Sequence, residues 1–548
     1  MQIFIVSNGC LATLFLGCLK NSDYLCNMFV RVKKNRSGSS SVLVVRKASG
    51  RYLVAKNLGV ATDEKAIESL RKKGEEWIRL HTDPLPMQFG FDEREEARRV
   101  LDNIDFVYHD GARIILNQVY HLIGFDEIKD SILRDLVVAR ICEPASKRST
   151  LEYLKDYFDE DYTLNKVYYY LDKLGSKQKN TVRRISVEHT RKILGGKIGL
   201  MFYDCTSLYF ETSNEDKLRA KGFSKDGKTA ESQIILGLLV SEDGYPLHYC
   251  IHRGDRHEGR TMIPAVNRFM KIFKLDKSDF IIVADAGLMS KENVKLLKEN
   301  GYSYIIGARI KSETDKVKDW ILSLEKKQDT YHEYTKDTGD RLIIGYSEAR
   351  AKNDEYNRDR GLKKLRKKFA SGKLTKDSVN KHGYNRLLVL SGTDSVTVEI
   401  SDKLIEEDKR WDGLKGYVTN TDIDAGLVVD QYHGLSTVER SFRVSKGTLE
   451  MRPMFHFTPK RIGAHICMCF VALKVYKELE RICKEKEIGM SVDSVIKVAK
   501  TIVTIRVNLP NLGEKYLKTI FTTEKQRMLE PLFHLTDYLQ TDGIITLI

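Results

Sequence analysis

Two apolar segments, each interrupted by one acidic residue, constrain the fold of this chain more than any other feature. From Lys197 the sequence reads KIGLMFYDCTSLYFE, apolar at successive positions until the charge of Asp204 arrives. That is the pattern of a strand buried on both faces. Further on, FIIVADAGLMS runs through five apolar residues and stops at Asp285, just before Ala286 and Gly287. Doubly buried strands belong to sheets covered by helices, so an α/β core is expected here. A carboxylate at the exit of a buried parallel strand faces the crevice where such sheets hold their ligands. Between the two segments, SQIILGLLVSEDG and PLHYCIHRG complete a meander around a turn at Asp243-Gly244-Tyr245-Pro246, and RTMIPAVNRFMKIF reads as a helix. SKENVKLLKENG and YSYIIGARI then predict a helix and a further strand.

A third acidic residue stands in YHGLSTVERSFRVSK, Tyr432 to Lys446. Tyr432, Glu439 and Lys446 recur every seven residues, about two helical turns, so one helix would align them on one face. Arg440 and Arg443 add cations around the carboxylate. A capping box from Ser436 to Glu439, opening an ordinary surface helix, explains the same residues. The two upstream aspartates favour a site. Two carboxylates on neighbouring strands and a third on a later helix suit hard divalent cations such as Mg2+, and a pair of ions could serve an in-line displacement at phosphorus.

Lysine and arginine exceed aspartate and glutamate by fifteen in 548 residues, which favours a polyanionic partner. Residues 1–27 are apolar without the basic start of a signal peptide, and Met28 reads as the natural start, making them a non-native leader. Residues 28–83 predict three strands and a helix. The cations Arg31, Lys33, Arg46, Lys47, Arg51 and Lys56 on those strands either line a duplex or merely protect sheet edges. Residues 84–193 are helical in pattern. PASKRSTLEYLKDY and LNKVYYYLDKLG are spaced like a helix-turn-helix, with Ser146, Lys147 and Arg148 at its entry. A basic run with Lys363, Lys364, Arg366, Lys367 and Lys368 is either a solvated helix or a DNA clamp. RPMFHFTPKR predicts a turn before a long core helix. The six cysteines after Met28 are scattered, which suits a reducing cytoplasm.

The strand order, the YDCTSLYFE and VADAG contexts and a spacing close to Y-x2-R-x3-E-x6-K resemble the DDE transposases of bacterial insertion sequences. The resemblance is to the insertion-sequence-four-type superfamily, over approximately 197–480. It implies a ribonuclease-H-like mixed-sheet core at 194–310 and 415–482, a β-rich insertion domain at 311–414 and a C-terminal tail at 483–548. It implies further that Asp204, Asp285 and Glu439 are the metal-binding catalytic triad for two Mg2+ ions, with Mn2+ able to substitute. Tyr432 and Lys446 would contact DNA near the cleaved end. The arginine position of the signature is Leu435, so Arg440 or Arg443 would have to supply that contact. Such an insertion can also hold a flipped base, with Trp320 and Trp411 as candidates. The implied activity is cleavage and transfer of double-stranded DNA at an element's inverted-repeat ends, by a homodimer in a synaptic complex on the bacterial nucleoid. A catalytically inactive DNA-binding descendant and a host nuclease are the alternatives. The intact triad argues against the first, and the large non-catalytic part argues against the second.

Overall fold

The computed structural model describes residues 28–546 apart from 49–50, 82–92, 224–226, 289–290, parts of 372–382, 392–396, 510–513 and 537–543. The expected leader at 1–27 lies outside the described residues. The chain divides into two compact units, one of residues up to Asp105 with Val507–Lys515, the other of Phe106–Arg506 with Tyr516–Ile548.

In the first unit, β1 (Met28–Lys34), β2 (Ser40–Ala48) and β3 (Arg51–Ala61) form an antiparallel sheet in that order, backed by α1 (Glu64–His81) and followed by α2 (Glu93–Asp102). Val42, Val44 and Val45 on the middle strand are fully buried. The helix can lie close because Gly74 carries no side chain: a Cβ there would sit 2.6 Å from Leu58 and 2.7 Å from Val30.

After β4 (Ile104–Tyr108), the chain enters helices α3 (Gly111–Ile123), α4 (Ser131–Cys142), α5 (Lys147–Phe158), α6 (Leu164–Lys173) and α7 (Lys179–Ile193). The main sheet is then built from β5 (Leu200–Tyr209), β6 (Gln233–Ser241) and β7 (Pro246–Arg253), α8 (Met262–Phe273), β8 (Ile281–Ala284), α9 (Lys291–Glu299) and β9 (Ser303–Ala308). Next come α10 (Asp315–Ser323), β10 (Tyr331–Thr335), β11 (Arg341–Tyr346), α11 (Glu348–Ala370), the small hairpin β12 (Leu388–Ser391) and β13 (Thr397–Ile400), and α12 (Asp402–Lys409). Strand β14 (Leu414–Thr419), α13 (Ala425–His433), α14 (Ser436–Lys446), α15 (Pro459–Glu485) and α16 (Val492–Ala499) follow, and β15 (Val503–Leu509), β16 (Glu514–Ile520), α17 (Glu524–Phe533) and β17 (Ile544–Thr546) end the described chain.

The eight strands of the main sheet lie in the order β10-β11-β14-β9-β8-β5-β6-β7. Strands β5, β8 and β9 are parallel, while β5-β6-β7 is the expected meander. The segment expected as a β-rich insertion differs from that expectation in two ways. Its strands β10 and β11 pair onward from β14 and so extend the main sheet, and most of the remainder is helix. Leu342 and Ile344 are buried against Ile310 and Leu414, apolar surface that an isolated hairpin would have left in water. Arg358 of α11 holds Asp412 with two hydrogen bonds of 2.6 Å, which ties the basic helix to the start of β14.

The helices α3–α7, read from sequence as a separate domain, share one hydrophobic core with the sheet and with α15. The reason lies in α15, where every residue from Ala464 to Glu480 is buried. A helix apolar on all sides needs neighbours on all sides. Of its four buried charged residues, Lys477 pairs with Glu480 at 2.8 Å, and Lys474 and Glu478 are matched by neighbours in the core. Lys474 donates to Thr190 Oγ1 at 2.6 Å and lies 4.0 Å above the Tyr245 ring. Glu478 accepts from the Tyr245 hydroxyl at 2.5 Å and from Arg481 at 2.8 Å, with His189 3.6 Å away. Burial alone would raise the Glu478 carboxyl, but hydrogen bonds from His189, Arg481 and Tyr245 bring it down to about 2. A carboxyl depressed in the fold stabilises at pH above its unfolded value near 4.5, and that contribution is lost as pH falls toward 2. Glu478→Ala leaves Lys474 and Arg481 without their carboxylate and is expected to cost about 3–5 kcal/mol, read from urea denaturation at pH 7.

Candidate active site

Asp204 and Asp285 come together through strand register. The parallel pair β5–β8 aligns Tyr203 with Ala284, and the two aspartates are the next residues of their strands. Phe202 and Val283, two positions earlier on each strand, both point into the core beneath α13 and α14, so alternation turns both carboxylates to that same face. Register also carries the row across β9, where Ala284 pairs with Ile306, and on to β14, where Gly307 pairs with Tyr417. Asp204 is half-buried and its Oδ1 accepts from the Cys205 amide at 2.7 Å. Asp285 stands exposed at the strand exit.

The helical corner above this row is not the single helix expected from the seven-residue spacing. Tyr432 closes α13, and Glu439 and Lys446 lie on α14. Between them, Gly434 packs on the Phe202 ring, where a Cβ would lie 2.4 Å from it, and a side chain there would push the corner off the sheet. The capping box is absent as well: α14 is preceded by Leu435 in helical conformation, with no side-chain cap. Leu435 itself is buried in the core, which accounts for an apolar residue at that position.

The break lets Tyr432 turn its hydroxyl down onto the sheet, where it donates to Asp285 Oδ1 at 2.8 Å. Gly307 makes room for it, since a Cβ there would sit 2.5 Å from the tyrosine oxygen. Partial desolvation pushes the Asp285 carboxyl up, but the Tyr432 hydroxyl, the amides of Gly287 and Ala286 and the charge of Lys415 together hold it below its ordinary value. Burial followed by the neighbouring Asp285 charge raises the Tyr432 phenol, which remains a donor.

Lys415 was missed in the sequence. Its ammonium lies 4.3 Å above the Tyr432 ring and 5.6 Å from that of Tyr417, in the field of both Asp285 and Glu439. Burial and then the charge of Arg350, on α11, lower its pKa, and the two carboxylates oppose them. The available signal was alternation on LKGYVT, which puts Lys415 and Tyr417 on one face. It could be used only once β14 was known to lie beside β9.

The other expected residues are more dispersed. Glu439 is exposed in the first turn of α14. Arg440 is paired with Glu480 of α15, and both it and Arg443 are exposed. Lys446 is half-buried at the end of α14. Lys363, Lys364, Arg366, Lys367 and Lys368 are all exposed on α11, while Leu362 and Leu365 anchor it. Trp320 and Trp411 pack beside Ile321 and Leu342, with Trp320 5.1 Å from the Tyr334 ring, as ordinary core residues do.

Among the described residues, no three His, Cys, Asp or Glu side chains converge on one cation position. The donor set of Asp204 and Asp285 nevertheless fits Mg2+, which takes one or two carboxylates and fills its remaining positions with water and phosphate oxygens. Glu439 lies outside that pair as the side chains stand. No helix among the described residues is long and apolar enough to cross a membrane.

The model of the transposase DDE domain family matches residues 195–474. Among solved structures, the piggyBac transposase synaptic complex with hairpin DNA is similar at 10% identity and a TM-score of 0.37, covering 68% of this chain and 70% of that one. The Mos1 transposase paired-end complex with the left transposon end is similar at 10% identity and a TM-score of 0.15, covering 42% and 66%. No curated protein matches the chain.

Proposed function

The chain belongs to the transposase DDE domain family, whose model spans residues 195–474, and on that premise we propose that it is the transposase of a bacterial insertion sequence. It binds the element's inverted-repeat ends, cuts the DNA strands there and joins them to a target, acting as a homodimer in the cytoplasm. The observation that supports this reading best is the placement of Asp204 and Asp285 on adjacent parallel strands facing one way, with the Tyr432 hydroxyl on Asp285. In this reading the two aspartates hold divalent metal, and Glu439 completes the set from α14. Bound Mg2+ supplies Lewis acidity for attack of water or a 3′-hydroxyl on a phosphodiester. The protein's own part is to keep Asp285 ionised through Tyr432 and to present Lys415 and Arg350 to the phosphate. Phosphoryl transfer asks mainly for such positioning and charge.

The test is incubation of the purified protein with Mg2+ and a labelled duplex that joins the element's end to flanking DNA. Cuts confined to the element boundary, followed by joining of the freed end to a second duplex, are expected. Cutting of any duplex without regard to the end would make the protein a nuclease, and tight end binding without cutting would make it an inactive DNA-binding protein.

A further inference from the structure

The loop RPMFHFTPK between α14 and α15 shows two phenylalanines to solvent, Phe455 at 60% exposure and Phe457 at 62%. The residue between them, His456, is turned inward and buried, as alternation along an extended segment requires. Its ring lies 5.2 Å from that of His465, tilted at 48° to it; His465 is also buried, and its Nδ1 has no hydrogen-bond partner among the described residues. Beside them lie Lys147, the first residue of α5, and Arg140, whose guanidinium donates to the Ala145 carbonyl at 3.0 Å, just before the helix cap Ser146.

Lys147 is only 8% exposed and makes no hydrogen bond or ion pair among the described residues. Burial, then the charge of Arg140, pushes its ammonium down to about 7. The charges that reach His456 and His465 are likewise cationic, from Lys147, Arg140 and, for His456, Arg461. On the other side of the loop, Arg219 is buried between rings, 5.5 Å from Phe210 and 5.6 Å from Phe457. Its Nε is taken by Asp216, but Nη1 is unsatisfied. A buried ammonium without a counter-charge is costly, and Lys147 set beside the Arg140 guanidinium at a helix N-terminus is an arrangement that favours an anion.

Exposed rings on a loop that covers buried cations suit one ligand class above others. Aromatic faces stack on bases only where the bases are out of a duplex, and the backbone between stacked bases brings the phosphate. We propose that this loop and the start of α5 form a site for unpaired nucleotides of a DNA strand, with bases stacked on Phe455 and Phe457 and a backbone phosphate drawn to Lys147. The inference rests on the proposed DNA-processing role. Its position agrees with that role, because β5 carries Asp204 and ends at Tyr209, just before Phe210, which lies six residues and roughly 20 Å of extended chain from Asp204. A strand released at the aspartates can reach the loop.

The probe is one duplex made in two forms, blunt and with a short single-stranded overhang, titrated by anisotropy without divalent metal. The wild-type chain should prefer the overhang by roughly tenfold or more, the scale of one or two stacked bases. Phe455→Ala with Phe457→Ala, both exposed, should abolish the preference and keep blunt-duplex affinity within about twofold. Lys147→Met should reduce overhang binding and lower its log–log salt slope by about one. An intact preference in the double phenylalanine variant would overturn the site. If that variant instead changes oligomeric mass while the preference persists, the rings belong to a contact with a second copy. An unchanged slope in Lys147→Met would remove the phosphate half of the proposal. Failure of the wild-type chain to bind either duplex would strike at the DNA-processing reading itself.

Discussion

Asp285→Asn is expected to lower metal-dependent strand cleavage by on the order of 10⁴-fold or more while leaving affinity for the element's ends nearly unchanged. The amide is nearly the same size and can still accept from the Tyr432 hydroxyl, so the 2.8 Å contact that fixes the corner of α13 is retained. The substitution takes away the negative charge and one oxygen donor to a hard cation. DNA affinity comes from cations, and removing an anion beside a phosphate leaves binding equal or slightly tighter. Asp204→Asn should behave in the same way, because it occupies the equivalent place on the neighbouring strand. Glu439→Gln is the sharper question. Glu439 lies on a helix and outside the aspartate pair, so its removal matches theirs only if α14 brings it to the metal when DNA is bound. Cleavage and end binding measured together on all three variants decide this. Retained cleavage removes a residue from the metal site, and loss of end binding along with cleavage marks a structural role.

Strands β5 and β8 were legible because burial on both faces leaves an unmistakable apolar run, and an aspartate interrupting such a run is conspicuous. The same logic read β6, β7 and β9. What the sequence did not reveal depends on contacts between distant segments. The seven-residue period suggested one helix from Tyr432 to Lys446, but the packing of Gly434 on Phe202 breaks it in two, and the break is what aims Tyr432 at Asp285. Arg440 is exposed on its helix and is also held by Glu480, forty residues later, a contact that nothing in the local sequence announces. Lys415 was invisible because its importance arises from the alignment of β14 with β9. The union of α3–α7 with the sheet could have been inferred, since the uninterrupted apolar run ICMCFVAL already demands neighbours on every side of α15.

Neutralising Lys363, Lys364, Arg366, Lys367 and Lys368 together, each to glutamine, is expected to weaken DNA binding on the order of 10³-fold or more at 0.1 M salt if every one of them meets a phosphate. All five are exposed, and none makes an ion pair with another described residue, so each pays little structural penalty on removal. Helix α11 should persist, because Leu362 and Leu365 anchor it and the Arg358–Asp412 pair fixes its middle. Unpaired lysines on a surface helix can be solvating charge, and exposure alone does not distinguish that from a DNA clamp. The salt dependence does. Each cation that no longer meets a phosphate takes close to one unit off the log–log slope, so a clamp shows a slope lower by up to about four or five units. Phosphate contacts carry no base sequence, so the weakening should be equal for an inverted-repeat duplex and a scrambled one. Anisotropy titrations of both duplexes across a salt series supply the measurement. A slope unchanged from wild type returns these five residues to solvent, and a weakening confined to the inverted repeat would place α11 against base edges instead of the backbone.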